Sequence, residues 1–479
     1  MIGHIQINRP ISDYDIPVDD LLGLLPPVPS TTEYTAAVWD KLAYPKSFEK
    51  FEYAEPNENL FQDYPKEVEF ADWALKNEYS FLSGSVMIDI TKTDKNKDST
   101  PAWPKCEEWK TEEDYLCDVG FVDYINQLAE IKSGYRPDVL WMLFLKKEIL
   151  KKKKVVERDI RQIVCSDPLF ARIGLMFEQH QNSLMKERTR TTYAQCGWSP
   201  FYGGFERRMR RLVSHENPYY VEFDWTRYDG TIPNFLFRHI KNIRFSFLAR
   251  RFRTEENRAL YDWYVTNLLH RYVLLPSGEV TLQTRGNPSG QVSTTMDNNM
   301  INTWLQAFEF IHLNGLSLDD AKTLWSSYDT LIYGDDRLNT TPILPENYVE
   351  SVVAFYKEFF GMWVKPEKVK VQDSLIGLSF CGFRVMPDFS PAPVDPLKLL
   401  ASFNTPLKKL QDVDTLYCKI LCLLLLCHNL PDEDEVKTWC VEAKFVLAKH
   451  LRAAGRDPPV NITRDMLDFL WSGGPKRKC

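Results

Sequence analysis

Residues 330–339 read Thr-Leu-Ile-Tyr-Gly-Asp-Asp-Arg-Leu-Asn, setting two adjacent carboxylates, Asp335 and Asp336, between two short apolar runs. Leu331, Ile332 and Tyr333 have the pattern of a β-strand, Gly334 supplies the permissive backbone of a tight turn, and Arg337 begins a return strand. Two carboxylates side by side at a hairpin tip repel each other, and a hard divalent cation is the natural compensation. A Gly-Asp pair is also an ordinary turn signal. The chemistry therefore rests on what the rest of the chain can bring to the tip.

Three further stretches carry groups of the right kind. In Val221-Glu222-Phe223-Asp224-Trp225-Thr226-Arg227-Tyr228-Asp229-Gly230, a strand running into Asp224 puts that side chain at a sheet edge, where it can face the hairpin tip. Asp229 lies past a turn and needs a different role. Gly286-Asn287-Pro288-Ser289-Gly290-Gln291-Val292-Ser293-Thr294 leads into a long helix with Met300, Trp304, Ala307 and Ile311 at helical spacing. Ser-Gly before a helix is ordinarily a cap, but Thr294 and Asn298 share one helix face, so a hydroxyl and an amide point together. Lys146 and Lys147 open a basic block that runs through 151–154 to Arg158 and Arg161, with 159–164 alternating as a strand. Loop lysines followed by a strand arginine suit a triphosphate, because Arg forks onto two oxygens while Lys acts as a mobile point charge.

The bulk of the chain narrows the class. Its 479 residues, 44% of them hydrophobic, allow a large multi-lobed core. No apolar run reaches the ~18 residues of a membrane span; residues 420–427 read as a buried helix turn. The N-terminus lacks the basic-then-apolar plan of a secretory signal, so a cytosolic chain is the expectation. Ten cysteines without paired C-x-x-C spacing indicate neither a zinc site nor a disulfide framework; Cys418, Cys422, Cys427 and His428 read as helix core. A net charge of −7 argues against a chain coated in nucleic acid. Further basic clusters stand at Arg207, Arg208, Arg210 and Arg211 and at Arg250, Arg251 and Arg253. Each alone reads as a solvated face; together they describe a positive channel inside a negative exterior.

The elements that must position these groups follow in order. Residues 1–60, rich in Pro, Asp, Glu and Tyr, read as an extended strap. A loop at 97–104 with hydroxyls and prolines precedes a helix over 113–132, spaced by Leu116, Val119, Tyr124 and Leu128 and stopped by Gly134. Residues 165–215 read as mostly helical. Pro233 starts a helix with Leu236, Ile240, Ile243 and Phe247 as its core stripe. Ser317-Leu318-Asp319-Asp320 resembles a capping box, and Val349, Val352, Tyr356 and Phe359 make an amphipathic helix stopped by Gly361. Lys365-Pro366-Glu367-Lys368 follows as a loop, 378–385 as a further hairpin, and 396–471 as a separate helical lobe. Residues 476–478 read as a disordered basic tail.

The order of these stretches, and above all Phe223-Asp224-Trp225-Thr226-Arg227-Tyr228-Asp229-Gly230-Thr231-Ile232-Pro233, resembles the RNA-dependent RNA polymerases of positive-strand RNA viruses, most of all those of astroviruses. The motifs cover about residues 146–385. The resemblance implies an α+β fold in the form of a closed right hand. Its parts would be a strap at 1–60 linking fingers and thumb, fingers at 61–215, a palm with a small antiparallel sheet at 216–385, a fingers insertion around 235–285, and a helical thumb at 386–479. It implies nucleotidyl transfer from NTPs to an RNA 3′-hydroxyl with two Mg²⁺ ions, Mn²⁺ being a possible substitute, bridged by Asp224 and Asp335 with Asp336 assisting. Lys368 is the implied general acid toward pyrophosphate, with Lys365 its rival.

Other roles carry over in the same way. Asp229, Ser289, Thr294 and Asn298 match the residues that read the ribose 2′-hydroxyl. Lys146, Lys147, Arg158 and Arg161 match those that hold the triphosphate. Ser99, Thr100 and Gly290 match positions along the template, and the hairpin at Cys381 and Phe383 matches the one that grips the primer end. The implied partners are an RNA template and primer or nascent strand and NTPs, in membrane-associated replication complexes of the host cytoplasm; a viral protein primer is implied for initiation, with unprimed initiation as the alternative. Two other readings compete. A reverse transcriptase shares the Tyr-x-Asp-Asp hairpin, but selecting deoxyribose calls for a bulky steric block where Asp229 and Asn298 offer polar partners. A non-catalytic RNA-binding scaffold with the same fold would bind RNA without metal-dependent synthesis.

Overall fold

At the centre of the computed structural model, which describes residues 1–8, 14–29, 31 and 33–474, lies a four-stranded antiparallel sheet. The basic segment 476–478 lies outside the described residues. Strand β1 (Tyr219–Thr226), the hairpin strands β2 (Asp329–Tyr333) and β3 (Asp336–Thr341), and β4 (Trp363–Gln372) are ordered β4-β1-β3-β2. Val221, Phe223 and Trp225 are buried along β1, the alternation of a strand with one face on a core. β2 is an edge strand, and residues 193–195 cover it: Ile332 N donates to Tyr193 O (2.9 Å) and Gln195 N to Ile332 O (2.8 Å). That cover removes a row of open backbone groups beside the acidic tip.

Four helices matter for the site: α1 (Pro65–Glu78), α2 (Pro168–Glu187), α3 (Asn234–Phe247) and α4 (Thr294–Leu313). α4 is buried at every position from Met296 to Ile311, because it runs between β2 on one side and α1 and α3 on the others. A helix enclosed on all sides is ordinarily apolar all round. This one carries Asp297, Asn298, Asn299, Asn302 and Glu309 instead, and each must find a partner in the interior.

A second sheet runs in the order Gly3–His4, Glu279–Gln283, Arg271–Leu274, Leu140–Leu145, Gln162–Cys165. The N-terminal residues thus pair with 279–280, and Tyr34–Ala36 pairs with Ile149–Lys151. Between those two attachments, Leu21, Leu22, Leu24, Leu25 and Val28 pack on the separate core of the C-terminal helices, which include Val413–Leu426 and Glu435–Ala453. One segment therefore bridges the sheet side and the helical side of the molecule. Among the described residues no helix is long and apolar enough to cross a membrane.

Several expectations are corrected. The helix expected over 113–132 is two, Glu112–Asp118 and Val122–Lys132, broken at Gly120 with φ +88°, and Val119 is exposed. Residues 365–368 lie within β4 rather than a loop, with the ladder slipping between Val364 and Val369. Pro366 cannot donate to the ladder, and on an edge strand a bulge absorbs it. Arg208 is no solvated channel residue: it is buried, with Nη1 and Nη2 each 2.9 Å from Asp329. In the C-terminal helices Cys427 and His428 are buried, but Cys422 is exposed.

Candidate active site

The ladder pairs Phe223 with Arg337 and Tyr333 with Asp336. One step further along, Asp224 stands level with Asp336, and Asp335 sits in the turn between β2 and β3. Strands in such a ladder keep opposed Cα atoms about 5 Å apart, so three carboxylates remote in sequence meet at one end of the sheet. Gly334 takes φ +64°, a conformation favoured by the missing Cβ. α4 ties the tip from below: Gly334 N donates to Asn299 Oδ1 (2.6 Å) and Asn302 Nδ2 donates to Gly334 O (3.0 Å). Behind it, buried Arg337 forks onto Glu309 with two 2.8 Å bonds and lies over the Phe223 ring. Tyr348 and Tyr356 donate to the same carboxylate, so this interior ion pair is hydrogen-bonded as such pairs must be.

The tip is short of positive charge. Burial raises the Asp335 carboxyl above its ordinary value, and Asp229 and Asp224 push it the same way. Burial and then Asp335 push Asp336 up to about 6, against a hydrogen bond from the Cys381 thiol that pulls it down. Lys368 Nζ lies 3.1 Å from Asp224 Oδ2; Lys365 has no polar partner among the described residues. Three carboxylates provide only hard oxygen donors, which suit Mg²⁺ or Mn²⁺. The raised acids and the ammonium on Asp224 mark the cationic charge the cluster lacks, so these residues fit a divalent ion. Among the described residues no three His, Cys, Asp or Glu side chains are already closed to ligand distance. The carboxylates converge without forming a ready cage.

Next to the tip lies a polar cluster. Asp229 sits in a single helical turn, Tyr228–Thr231, entered through Arg227 at φ +56°. Ser289 Oγ donates to Asp229 Oδ2 and accepts from Lys50 Nζ (3.2 Å), which is itself 3.6 Å from Asp229. Gly290 lies against the Gln162–Cys165 strand so closely that a Cβ would come 2.1 Å from Val164 O, and Val164 N donates to Ser289 O (3.0 Å). Asn298 Oδ1 accepts from Asn287 Nδ2 (3.0 Å), which leaves its Nδ2 for another acceptor. Thr294 differs from expectation. Its hydroxyl donates to Pro288 O and Gln291 O (3.0 Å each), closing the loop instead of joining the cluster.

The model of the family described as viral RNA-dependent RNA polymerase matches residues 63–399. The chain belongs to the viral RNA-dependent RNA polymerase family. It is 57% identical over 477 residues to the non-structural polyprotein 1AB of mink astrovirus 1, covering 99% of this chain and 34% of that polyprotein. With the same polyprotein of human astrovirus-5 it shares 53% over 481 residues, covering 100% of this chain and 33% of the relative. The chain thus spans about a third of the curated relatives it matches. In fold it is similar to the solved Sicinivirus 3Dpol RNA dependent RNA polymerase, with a TM-score of 0.69 at 16% identity over 98% of both chains.

In this chain the expected basic residues do not act as one group. Arg161 bonds Glu148 through Nε (2.7 Å) and Nη2. Its guanidinium is held more firmly protonated by Glu148 first and then, through space, by Asp229 and Asp335, so it faces the acidic tip. Arg158 instead bonds Asp40 (2.8 Å), Lys147 lies over the Tyr14 ring (5.3 Å), and Lys146 stands 3.9 Å from Glu148. Ser99 and Thr100 spend their hydroxyls locally: Ser99 Oγ donates to Asn96 O and accepts from Lys95, and Thr100 accepts from Ala102 N. The hairpin at 379–385 turns through Cys381 and Gly382 at φ +51° and +77°, bringing Cys381 to Asp336 and Phe383 against the rings of Phe205 and Trp471.

Lys50, Asn287, Asn299, Asn302 and Glu309 were not assigned from sequence. For those on α4 a signal existed, since amides and acids repeated within a buried helix demand interior partners. Lys50 offers no such signal; its place depends on the strap folding back across 239 residues to Ser289.

Proposed function

We propose that this chain catalyses template-directed RNA synthesis, transferring nucleotides from NTPs to an RNA 3′-hydroxyl during viral genome replication. The observation that carries the reading is the β1–β3 register, which aligns Asp224 with the Asp335–Asp336 tip, beside the cluster of Asp229, Ser289, Lys50 and Asn298. Asp224 and Asp335 would hold two Mg²⁺ ions, with Asp336 assisting; when bound, such ions stabilise the attacking and leaving oxygens of an in-line displacement. Arg161 faces the same carboxylates and binds the triphosphate, exchanging Glu148 for phosphate oxygens. Lys368, held at Asp224, delivers a proton to the leaving pyrophosphate. Asp229, Ser289 and Asn298 surround the sugar and supply acceptor and donor to its 2′-hydroxyl, a group that is both. A deoxyribose would leave those polar groups unpaired, at about 1–3 kcal/mol, or roughly tenfold to hundredfold discrimination.

The proposal includes the division of the hand into strap 1–60, fingers 61–215, palm 216–385 with its insertion, and thumb 386–479, and a site of action in host-cytoplasm replication complexes with a protein primer. Extension of an RNA primer–template with NTPs or dNTPs, in Mg²⁺ or Mn²⁺, tests the activity. Asp335→Ala should abolish synthesis and keep RNA binding. Preferential use of dNTPs would turn the reading to a reverse transcriptase, and RNA binding without synthesis to a scaffold.

A further inference from the structure

Asp229 can only accept from a sugar hydroxyl, so the amide of Asn298 complements it by turning its nitrogen outward, and a run of buried side chains decides that it does. It starts at Asp297, which is 0% exposed and held between Arg244 Nη1 (2.8 Å) and Lys241 Nζ (2.6 Å). A carboxylate only accepts, so Gln291 must turn Nε2 to Asp297 Oδ2 (2.7 Å). The second N–H of Gln291 then reaches Asn287 Oδ1 (3.0 Å), while its Oε1 accepts from Ser293 N (2.7 Å). Asn287, also 0% exposed, is thereby left with Nδ2 toward Thr294 O (3.1 Å) and Asn298 Oδ1 (3.0 Å). Every polar atom of the Gln291 and Asn287 side chains is used. The one unclaimed amide atom along the run is Asn298 Nδ2, with no partner among the described residues and no place among the sealed unpartnered atoms. Asn287 touches the other side of the cluster as well, its backbone N donating to Asp229 O (2.6 Å).

We propose that Asn287 is a positioning residue for sugar selection: it fixes the amide polarity of Asn298, relaying through Gln291 the polarity set by the buried Asp297 carboxylate. The proposal rests on the reading of Asn298 as a ribose-sensing residue. Its perturbation is specific. Asn287→Asp keeps size and shape but presents an acceptor to Asn298 Oδ1, so the Asn298 amide turns over and shows its oxygen to the sugar. Asn287→Leu removes the restraint and lets the amide sample both orientations.

The test compares kcat/KM for an NTP and its 2′-deoxy counterpart in primer extension, using wild type, Asn287→Asp, Asn287→Leu, Asn298→Ala and the double variant Asn287→Asp/Asn298→Ala. A ratio measured within one preparation is independent of the active fraction, so loss of folded enzyme does not enter it. Asn298→Ala and Asn287→Asp should each lower the ratio by about tenfold or more, Asn287→Leu should lower it less, and the double variant should match Asn298→Ala, because both changes remove one interaction. A ratio unchanged in both Asn287 variants while Asn298→Ala lowers it overturns the relay and leaves the ribose reading standing. Losses that multiply in the double variant overturn the relay too. An unchanged ratio in Asn298→Ala itself defeats the ribose reading and the relay with it.

Discussion

Lys368→Leu should separate two contributions that one ammonium group combines. The Lys368 and Asp224 side chains are 53% and 50% exposed, and an ion pair that open to solvent is worth about 0–1 kcal/mol. Removing it frees Asp224 for a divalent ion by at most about fivefold, seen as a lower half-saturating Mg²⁺ concentration. Loss of a general acid costs far more, about 100-fold or beyond in the chemical step. Rapid-quench measurement of single-nucleotide addition, across Mg²⁺ concentration, reads both at once. Lys368→Arg keeps the ion pair but not a readily donated proton, so it should retain the wild-type Mg²⁺ dependence and lose the rate. A Lys368→Leu rate within about threefold of wild type, or a larger loss in Lys365→Leu, refutes the assignment.

Other outcomes follow from the same framework. Asp335→Asn should abolish synthesis, whereas Asp336→Asn should leave a measurable rate, both at unchanged RNA affinity in a filter-binding assay. Arg208→Met should destabilise the fold by about 3 kcal/mol, the low end for breaking a buried ion pair, because Arg211 and His215 remain 3.4 Å from Asp329. Burial alone would raise the Asp329 carboxyl, but Arg208, His215 and Arg211 hold it at about 2, below its ordinary 3.8. The ion pair's contribution is therefore present above pH 3.8 and lost as pH falls through about 2; denaturant titrations over that window should show the Arg208→Met penalty shrinking. Glu78 shows the opposite sign: burial first, and then the Asp329 charge, push it up to about 8 from 4.5. Its favourable contribution is complete below pH 4.5 and lost as pH rises through about 8. Glu78→Gln should therefore gain in melting temperature over wild type across that interval and hold the gain above it.

What the sequence makes legible depends on the range over which each feature is decided. The 329–341 hairpin is set locally by the apolar run 331–333, the glycine after it and a return strand, and the two strands pair as read. The strand into Asp224, the helix after Pro233 and the turn at 381–382 are local in the same sense. Val119 misleads because helical spacing continues past Gly120, where the chain actually breaks. The stretch at 365–368 misleads because a proline argues against a strand unless the strand is an edge that can bulge, and edge position is a property of the whole sheet. Arg208 is one of four arginines within five residues, alike in sequence; only the approach of Asp329 buries one of them. The fate of Thr294 illustrates a finer limit. A shared helix face brings its hydroxyl near Asn298, but a carbonyl three residues upstream within the loop claims the proton first.

The N-terminal segment pairs with residues 279–280 before its leucines and with residues 149–151 after them, so the C-terminal helices on which those leucines sit are linked to the strands from both sides. Cutting the chain between residues 28 and 34 should leave the carboxylates in register and sever only one of the two links, because the pairing of residues 3–4 still ties the seated leucines to the strands. Both links must therefore be broken before the C-terminal helices are released from that restraint.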